Sequence, residues 1–145
     1  MPTVLLTFAN SEKGSHGYLE NLSIESTEVD KILTPYQASG AFKVIREERA
    51  TKEVIINKIG FFQNDIIVFS YSGHAGSDKV FLEDGEANAL GLSGLLGDCP
   101  NLKLVILNGC STKGQVKTLL DNRVPIVIAT NRPIDDKKEI GRAHV

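Results

Sequence analysis

The chain has 145 residues, of which 41% are hydrophobic and 23% charged, and its formal net charge is −2. This length and composition are ordinary for one globular domain with a substantial core. The small negative charge, without a cluster of Lys or Arg, excludes the basic surface expected of a nucleic-acid-binding domain. No apolar stretch approaches the roughly 20 residues that span a bilayer, and two cysteines are too few for a disulfide framework. These features predict a cytoplasmic protein without nucleic-acid or membrane partners.

The first half of the chain alternates apolar runs with segments of helical spacing. Residues Thr3–Ala9 are apolar at almost every position, which is typical of a strand covered on both faces. A helix is predicted over Tyr18–Ala38, and a short strand over Phe42–Arg46. A second helix is predicted over Thr51–Phe62, with Thr51 as its N-cap.

The second half continues the alternation and ends on an apolar run. The elements expected there are a strand, a hairpin arm, a helix, a strand, a helix and a strand, in the order Asp65–Tyr71, Lys79–Leu82, Ala87–Leu96, Leu102–Leu107, Lys113–Asp121 and Val124–Thr130. Strands that alternate with helices favour an α/β fold with parallel pairing. Right-handed crossovers then place helices on both faces of the sheet. The sequence therefore predicts a three-layer α/β/α sandwich with a mainly parallel central sheet.

Two of these strands end in glycine-bearing segments that carry reactive side chains. The first segment, Tyr71–Gly76 (YSGHAG), contains His74, and the second, Leu107–Thr112 (LNGCST), contains Cys110. In an open parallel sheet, ligand sites lie at the carboxyl ends of the strands. His74 and Cys110 each follow a predicted strand end by three residues and are separated by 110 − 74 = 36 residues. One crossover fills that separation, so neighbouring strands about 4.8 Å apart would bring the two side chains together.

A Cys–His pair at this edge suits acyl transfer through a thioester. Cys110 is the candidate nucleophile, and His74 would take up the thiol proton and return it to the leaving amine. The segment Thr112–Gln115 resembles a capping box, which predicts a helix N-terminus just after Cys110 and a lowered thiol pKa. Backbone N–H groups of Cys110 and of Ala75 or Gly76 are candidates for the oxyanion hole.

The two segments resemble those of the CHAT domain, a bacterial caspase-like peptidase domain associated with tetratricopeptide repeats. Gly114–Val116 and Val127–Pro133 also resemble this family, as do Leu5–Asn10 and Tyr18–Leu22 near the start of the chain. The resemblance covers essentially all of residues 1–136. It implies a caspase-like fold, a peptide or protein substrate, no cofactor, and a tetratricopeptide-repeat or other regulatory module as a fused or associated partner.

The resemblance also implies roles for individual residues. His74 and Cys110 match the general base and the nucleophile of a dyad that needs no third residue. Asn108 stands two positions before the cysteine, where many relatives carry a specificity residue, and with Gly73 and Gly109 it forms the expected substrate-binding set. Caspases have glycine directly after the histidine, whereas this chain has Ala75 and then glycine.

The domain is expected to occupy residues 1–138 and to be incomplete at its C-terminus. The last seven residues, Glu139–Val145, match an in-frame translation of a common sequencing-adapter DNA (GAG ATC GGA AGA GCA CAC GTC). Such segments are excluded from reasoning about the fold. The elements that usually complete the substrate pocket in this family would follow the point where the chain stops.

Two other interpretations stay open at this stage. A catalytically silent module for signalling or protein interaction would keep the fold without turnover. A flavodoxin- or receiver-like binding domain is the third interpretation, although a receiver needs acidic residues after the first strand, where Ala9-Asn10-Ser11 has none. Cys99 is expected to be structural and His16 to be a solvated loop residue. No His or Cys spacing is typical of a metal site, so none is predicted.

Overall fold

In a computed structural model of the chain, the described residues are 1–10, 22–73, 79–82, 85–108 and 112–129. Their strands are β1 Thr3–Phe8, β2 Lys43–Glu47, β3 Ile66–Ser72, β4 Lys79–Leu82, β5 Gly85–Asn88, β6 Leu104–Asn108 and β7 Ile126–Ala129. Their helices are α1 Leu22–Ala38, α2 Lys52–Phe61, α3 Ala89–Gly97, the 3-10 helix Thr112–Gln115 and α4 Val116–Asp121.

Five of the strands form one parallel sheet in the order β2-β1-β3-β6-β7. One face of this sheet packs against α2, α3 and α4 through a cluster that includes Leu5, Phe69 and Leu96. The other face packs against α1 through Val4 and Leu6. The connections from β3 to β6 and β7 run in one direction and the connection from β1 to β2 runs in the other, so right-handed crossovers place their helices on opposite faces. The predicted three-layer sandwich with a parallel sheet is confirmed.

Each predicted strand agrees with the structure within two residues at both ends. Thr51 is the N-cap of α2, as predicted, and its hydroxyl accepts a hydrogen bond from the Val54 N–H at 3.2 Å. Ile55 and Ile59, one turn apart, are the buried residues of this helix. The part of the first predicted helix before Leu22 lies outside the described residues.

The third helix begins later than the sequence predicts. Lys79–Leu82 forms the expected hairpin arm, but its antiparallel partner β5 runs through Ala87 and Asn88, which were assigned to the helix. The side chain of Asn88 accepts hydrogen bonds from the N–H groups of Leu90 at 2.8 Å and Gly91 at 3.2 Å. Asparagine at an N-cap satisfies the first free N–H groups of a helix, which fixes the start of α3 at Ala89.

The helix predicted over Lys113–Asp121 is present, but its first turn is not α-helical. Residues Thr112–Gln115 form a 3-10 helix, and α4 begins at Val116 with no side-chain capping hydrogen bond from Gln115. Gly114 disfavours a regular helix at this point by about 1 kcal/mol relative to alanine. Short 3-10 turns are frequent at helix N-termini. The capping box expected after Cys110 therefore does not start the α-helix.

The centre of the sheet should dominate the stability of the domain. Leu5 is 0% exposed, and Leu5→Ala is expected to lower the free energy of unfolding by about 2–5 kcal/mol because a cavity opens in a packed core. Leu120 on α4 is 47% exposed, so Leu120→Ala is the matched control with a loss below about 1 kcal/mol. Urea unfolding measures both, and equal losses would contradict this location of the core.

Candidate active site at the carboxyl edge of the sheet

The two strands that precede His74 and Cys110 in sequence are neighbours. β3 and β6 pair in parallel, from Val68 opposite Leu104 to Ser72 opposite Asn108. Both strands therefore end at the same level of the same edge. The predicted pair of His74 and Cys110 requires this arrangement of the two strands.

A further hydrogen bond joins the strand ends just beyond this ladder. The N–H of Gly73 donates to the carbonyl oxygen of Asn108 at 3.0 Å. On the other side of β3, the N–H of Ala9 donates to the carbonyl oxygen of Ser72 at 3.1 Å. The end of β3 is thus tied on both sides, which fixes where the chain leaves the sheet.

Gly73 is buried and has no room for a side chain. A Cβ atom added to it would overlap the carbonyl oxygen of Ala9 and would lie 2.6 Å from the hydroxyl oxygen of Tyr71. Real Cβ atoms do not approach other heavy atoms this closely. Glycine at this position is required by close packing between the ends of β1 and β3.

The structure describes two of the seven predicted site residues. Gly73 and Asn108 lie side by side at the carboxyl edge and are joined by the hydrogen bond above. The other five lie outside the described residues: His74, Ala75, Gly76, Gly109 and Cys110. The dyad and the oxyanion hole remain predictions at this point.

The helix that was expected to lower the pKa of the Cys110 thiol starts as a 3-10 turn, Thr112–Gln115. The α-helix begins at Val116 and has six residues. The favourable effect of a helix N-terminus on a negative charge falls off within the first turn. A short helix that starts with a 3-10 turn would therefore supply only part of any lowering of the thiol pKa at residue 110.

Cys99 is part of the hydrophobic core, in keeping with the structural role predicted for it. It is 5% exposed, and its Sγ atom donates to the carbonyl oxygen of Leu95 at 3.6 Å. Burial, and then the negative charge of Asp98, raise the pKa of the Cys99 thiol above its ordinary value. Both effects disfavour the thiolate, which is the reactive form.

Sequence reasoning missed the packing that holds the strand ends. Tyr71 is fully buried beneath Gly73, and the small residues Ala9 and Ala50 are buried in the same cluster. Ala50 donates its N–H to the carbonyl oxygen of Phe8 at 2.9 Å, so the loop after β2 closes over the end of β1. The signal was the alternation of Tyr71 with Gly73, which puts a large and an absent side chain on the same face of one strand.

The strand order also bears on the flavodoxin- or receiver-like interpretation. In doubly wound sheets of this order, ligands bind where the strand order reverses, which here is between the ends of β1 and β3. Among the described residues, that position holds the hydrogen bond from Ala9 to Ser72 and the buried Gly73. The described part of that crevice is therefore closely packed and hydrogen-bonded.

The described part of the chain contains neither a cluster of metal-binding side chains nor a membrane-spanning helix. Within it, no group of three or more His, Cys, Asp or Glu side chains is placed to hold a metal ion. None of its helices combines the length and the apolar character needed to cross a membrane.

Comparison with known proteins shows a likeness to solved structures. No protein-family model matches the chain, and no curated protein matches it. Among solved structures, it is similar to one described as the structure of pro-sf-caspase-1, with a TM-score of 0.59 and 15% sequence identity. The match covers 75% of this chain and 46% of that chain, so the present chain spans less than half of that protein's length. At this identity the likeness shows the fold, which is a caspase-like α/β fold.

Replacement of Gly73 by alanine is expected to be costly. The added Cβ would force apart Ala9, Tyr71 and residue 73, and overpacking of this kind destabilises a protein by about 1–3 kcal/mol. Gly60, inside α2, has nothing within 4 Å of the position of its Cβ. Gly60→Ala is therefore the matched control, and it should be neutral or stabilising by up to about 1 kcal/mol. Thermal unfolding of both variants measures the difference, and an unchanged Gly73→Ala protein would contradict the close packing.

Cys99 should resist alkylation while the protein is folded. Its buried thiol with a raised pKa is expected to react with iodoacetamide far more slowly at about pH 8 than after denaturation. Mass spectrometry of the peptide that contains Cys99 measures the rate. A native rate equal to the denatured rate would show that this thiol is accessible.

Proposed function

We propose that the chain is a cysteine endopeptidase domain of the CHAT type, which hydrolyses peptide bonds with a dyad of His74 and Cys110. The observation that carries the proposal is the register between β3 and β6. Every pair in that ladder has an offset of 36 residues, for example 108 − 72 = 36. His74 and Cys110 have the same offset, because 110 − 74 = 36. Each residue follows the last paired position of its strand by two in sequence, so a register that continued past Ser72 and Asn108 would bring both to the same level.

The spacing of parallel strands makes this offset chemically useful. Neighbouring strands lie about 4.8 Å apart, so two side chains at one level can reach hydrogen-bond distance. The hydrogen bond from Gly73 to Asn108 keeps the two chains together one residue past the ladder. The caspase-like fold supports a peptidase activity, since caspases are peptidases. The peptidase activity of this chain itself is part of the proposal.

The proposed reaction is an acyl transfer in two steps. The imidazole of His74 removes the thiol proton of Cys110, and the sulfur attacks the carbonyl carbon of the substrate amide. The resulting oxyanion is held by the N–H of Cys110 and that of Ala75 or Gly76. The C–N bond then breaks, and His74 donates its proton to the leaving amine. In the second step His74 takes a proton from water, whose hydroxyl attacks the thioester, and the thiol leaves with that proton.

The substrate of this site is proposed to be a peptide or protein. Asn108 would contact the residue before the cleaved bond, and its neutral amide gives no preference for a charged side chain. Gly73 and Gly109 would let the substrate backbone approach the two strand ends. A tetratricopeptide-repeat or other regulatory module is proposed as the partner, and the cytoplasm as the location.

Replacement of the nucleophile is the central test. Cys110→Ala in the natural full-length protein is expected to lower the cleavage rate of a peptide library by about 10³-fold or more, because the thioester cannot form. His74→Ala should cause a loss of similar size. Cys99→Ala is the matched control, since it removes a thiol that lies in the core.

The outcomes separate the proposal from its rival. Loss of cleavage in both dyad variants, with activity kept in Cys99→Ala, supports the dyad. Equal cleavage by the wild-type and Cys110→Ala proteins would refute the nucleophile assignment. No cleavage by the folded wild-type protein would favour a silent interaction module instead.

A further inference from the structure

We propose that Tyr71 is a positioning residue. Its phenol packs against the backbone of Gly73 and so sets the position of the next residue, His74. The inference rests on the proposed function, because it concerns the base of that dyad. The inference goes beyond the proposed function, since neither the sequence pattern nor the likeness to other folds gives Tyr71 a role. The evidence for it comes entirely from described residues.

The first step is the rigidity of Tyr71 itself. It is 0% exposed and lies in the central strand of the sheet. Its backbone is paired with Thr7 of β1 on one side and with Leu107 of β6 on the other. A buried ring with only two rotatable bonds, on a strand held at both edges, has little freedom to move.

The second step is the contact between Tyr71 and Gly73. These residues are two apart on one strand, so their side-chain directions lie on the same face. The position of a Cβ on residue 73 is 2.6 Å from the hydroxyl oxygen of Tyr71 and 3.0 Å from its Cζ. The tip of the phenol therefore fills the space directly beneath the Gly73 backbone.

The third step is that Gly73 also has a backbone neighbour toward each adjacent strand. The carbonyl oxygen of Ala9 lies against it on the side of β1, and the carbonyl oxygen of Asn108 accepts its N–H on the side of β6. The next residue is His74, whose Cα is about 3.8 Å from that of Gly73. The packing of one peptide unit thus fixes the point from which the proposed base departs.

A small displacement of the proposed catalytic imidazole is enough to change the reaction rate. Displacement of a catalytic group by about 1 Å can cost on the order of 10²-fold in rate. Removal of the phenol oxygen leaves a gap of one atom beneath Gly73, into which the peptide can settle. The imidazole would then move relative to the sulfur, so the thiolate of Cys110 would lose part of its stabilisation.

The test uses Tyr71→Phe, which removes one oxygen atom and keeps the ring. For the proposed reaction, kcat should fall about threefold or more, because the imidazole moves relative to the sulfur. The pH midpoint of Cys110 alkylation, followed on its own peptide by mass spectrometry, should rise by about half a unit or more. Tyr71→Leu removes the aromatic ring and should change both quantities further in the same direction.

Phe69→Leu is the matched control. Phe69 is equally buried on the same strand and in the same cluster, but it lies two residues further from the strand end. This change should lower stability at least as much as Tyr71→Phe while leaving the alkylation midpoint where it is in the wild-type protein. All variants are compared at a temperature where circular dichroism shows them folded.

The possible outcomes separate the positioning role of Tyr71 from the existence of the dyad. A raised midpoint in Tyr71→Phe and an unchanged one in Phe69→Leu supports the positioning role. A raised midpoint in both variants would show general loosening of the sheet and would overturn it, as would a wild-type midpoint in Tyr71→Phe. If the wild-type protein and His74→Ala have the same midpoint, no dyad exists, and the proposed function fails together with the inference.

Discussion

The structure depends on the way β3 is held at its carboxyl end. β3 is the central strand, and it pairs in parallel with β1 and with β6 up to its last residue, Ser72. Two hydrogen bonds then tie this end to Ala9 on one side and, through Gly73, to Asn108 on the other. Backbone groups with such partners cannot shift without loss of hydrogen bonds in a buried place, which is costly. The three neighbouring strand ends therefore form one rigid frame.

Most of the fold follows from local patterns in the sequence, and the errors have local causes. Apolar runs gave the five strands of the sheet, and Thr51 correctly predicted the start of α2. The start of α3 was missed because Asn88 serves both as the last residue of β5 and as the N-cap. The first turn of the helix after β6 differs from the prediction, because Gly114 favours a 3-10 turn over the α-helical start that the Thr112–Gln115 capping pattern indicates. Such competition between neighbouring signals is settled by tertiary packing, which a pattern does not contain.

The candidate site was predictable to a different degree. The separation of 36 residues between His74 and Cys110 predicted neighbouring strands, and the ladder between β3 and β6 confirms the adjacency. The register could not be deduced, because a crossover of this length fits several alignments of the two strands. The tight packing of Gly73 against Ala9 was equally out of reach, since it joins the ends of β1 and β3, which only the folded sheet brings together.

The packing at β3 and the start of α4 together explain why the place of the imidazole matters in the proposed dyad. The end of β3 is held toward β1 by Ala9 and toward β6 by Asn108, and the two strands that precede the proposed dyad residues end at one level. In the proposed dyad, a thiolate at residue 110 would gain less from the following helix than from a long α-helix, because that helix starts with a 3-10 turn and α4 has only six residues. Most of its stabilisation would then come from the charged imidazole of His74, and that interaction falls with distance. In this proposal the contact of Tyr71 with Gly73 becomes a determinant of thiol acidity.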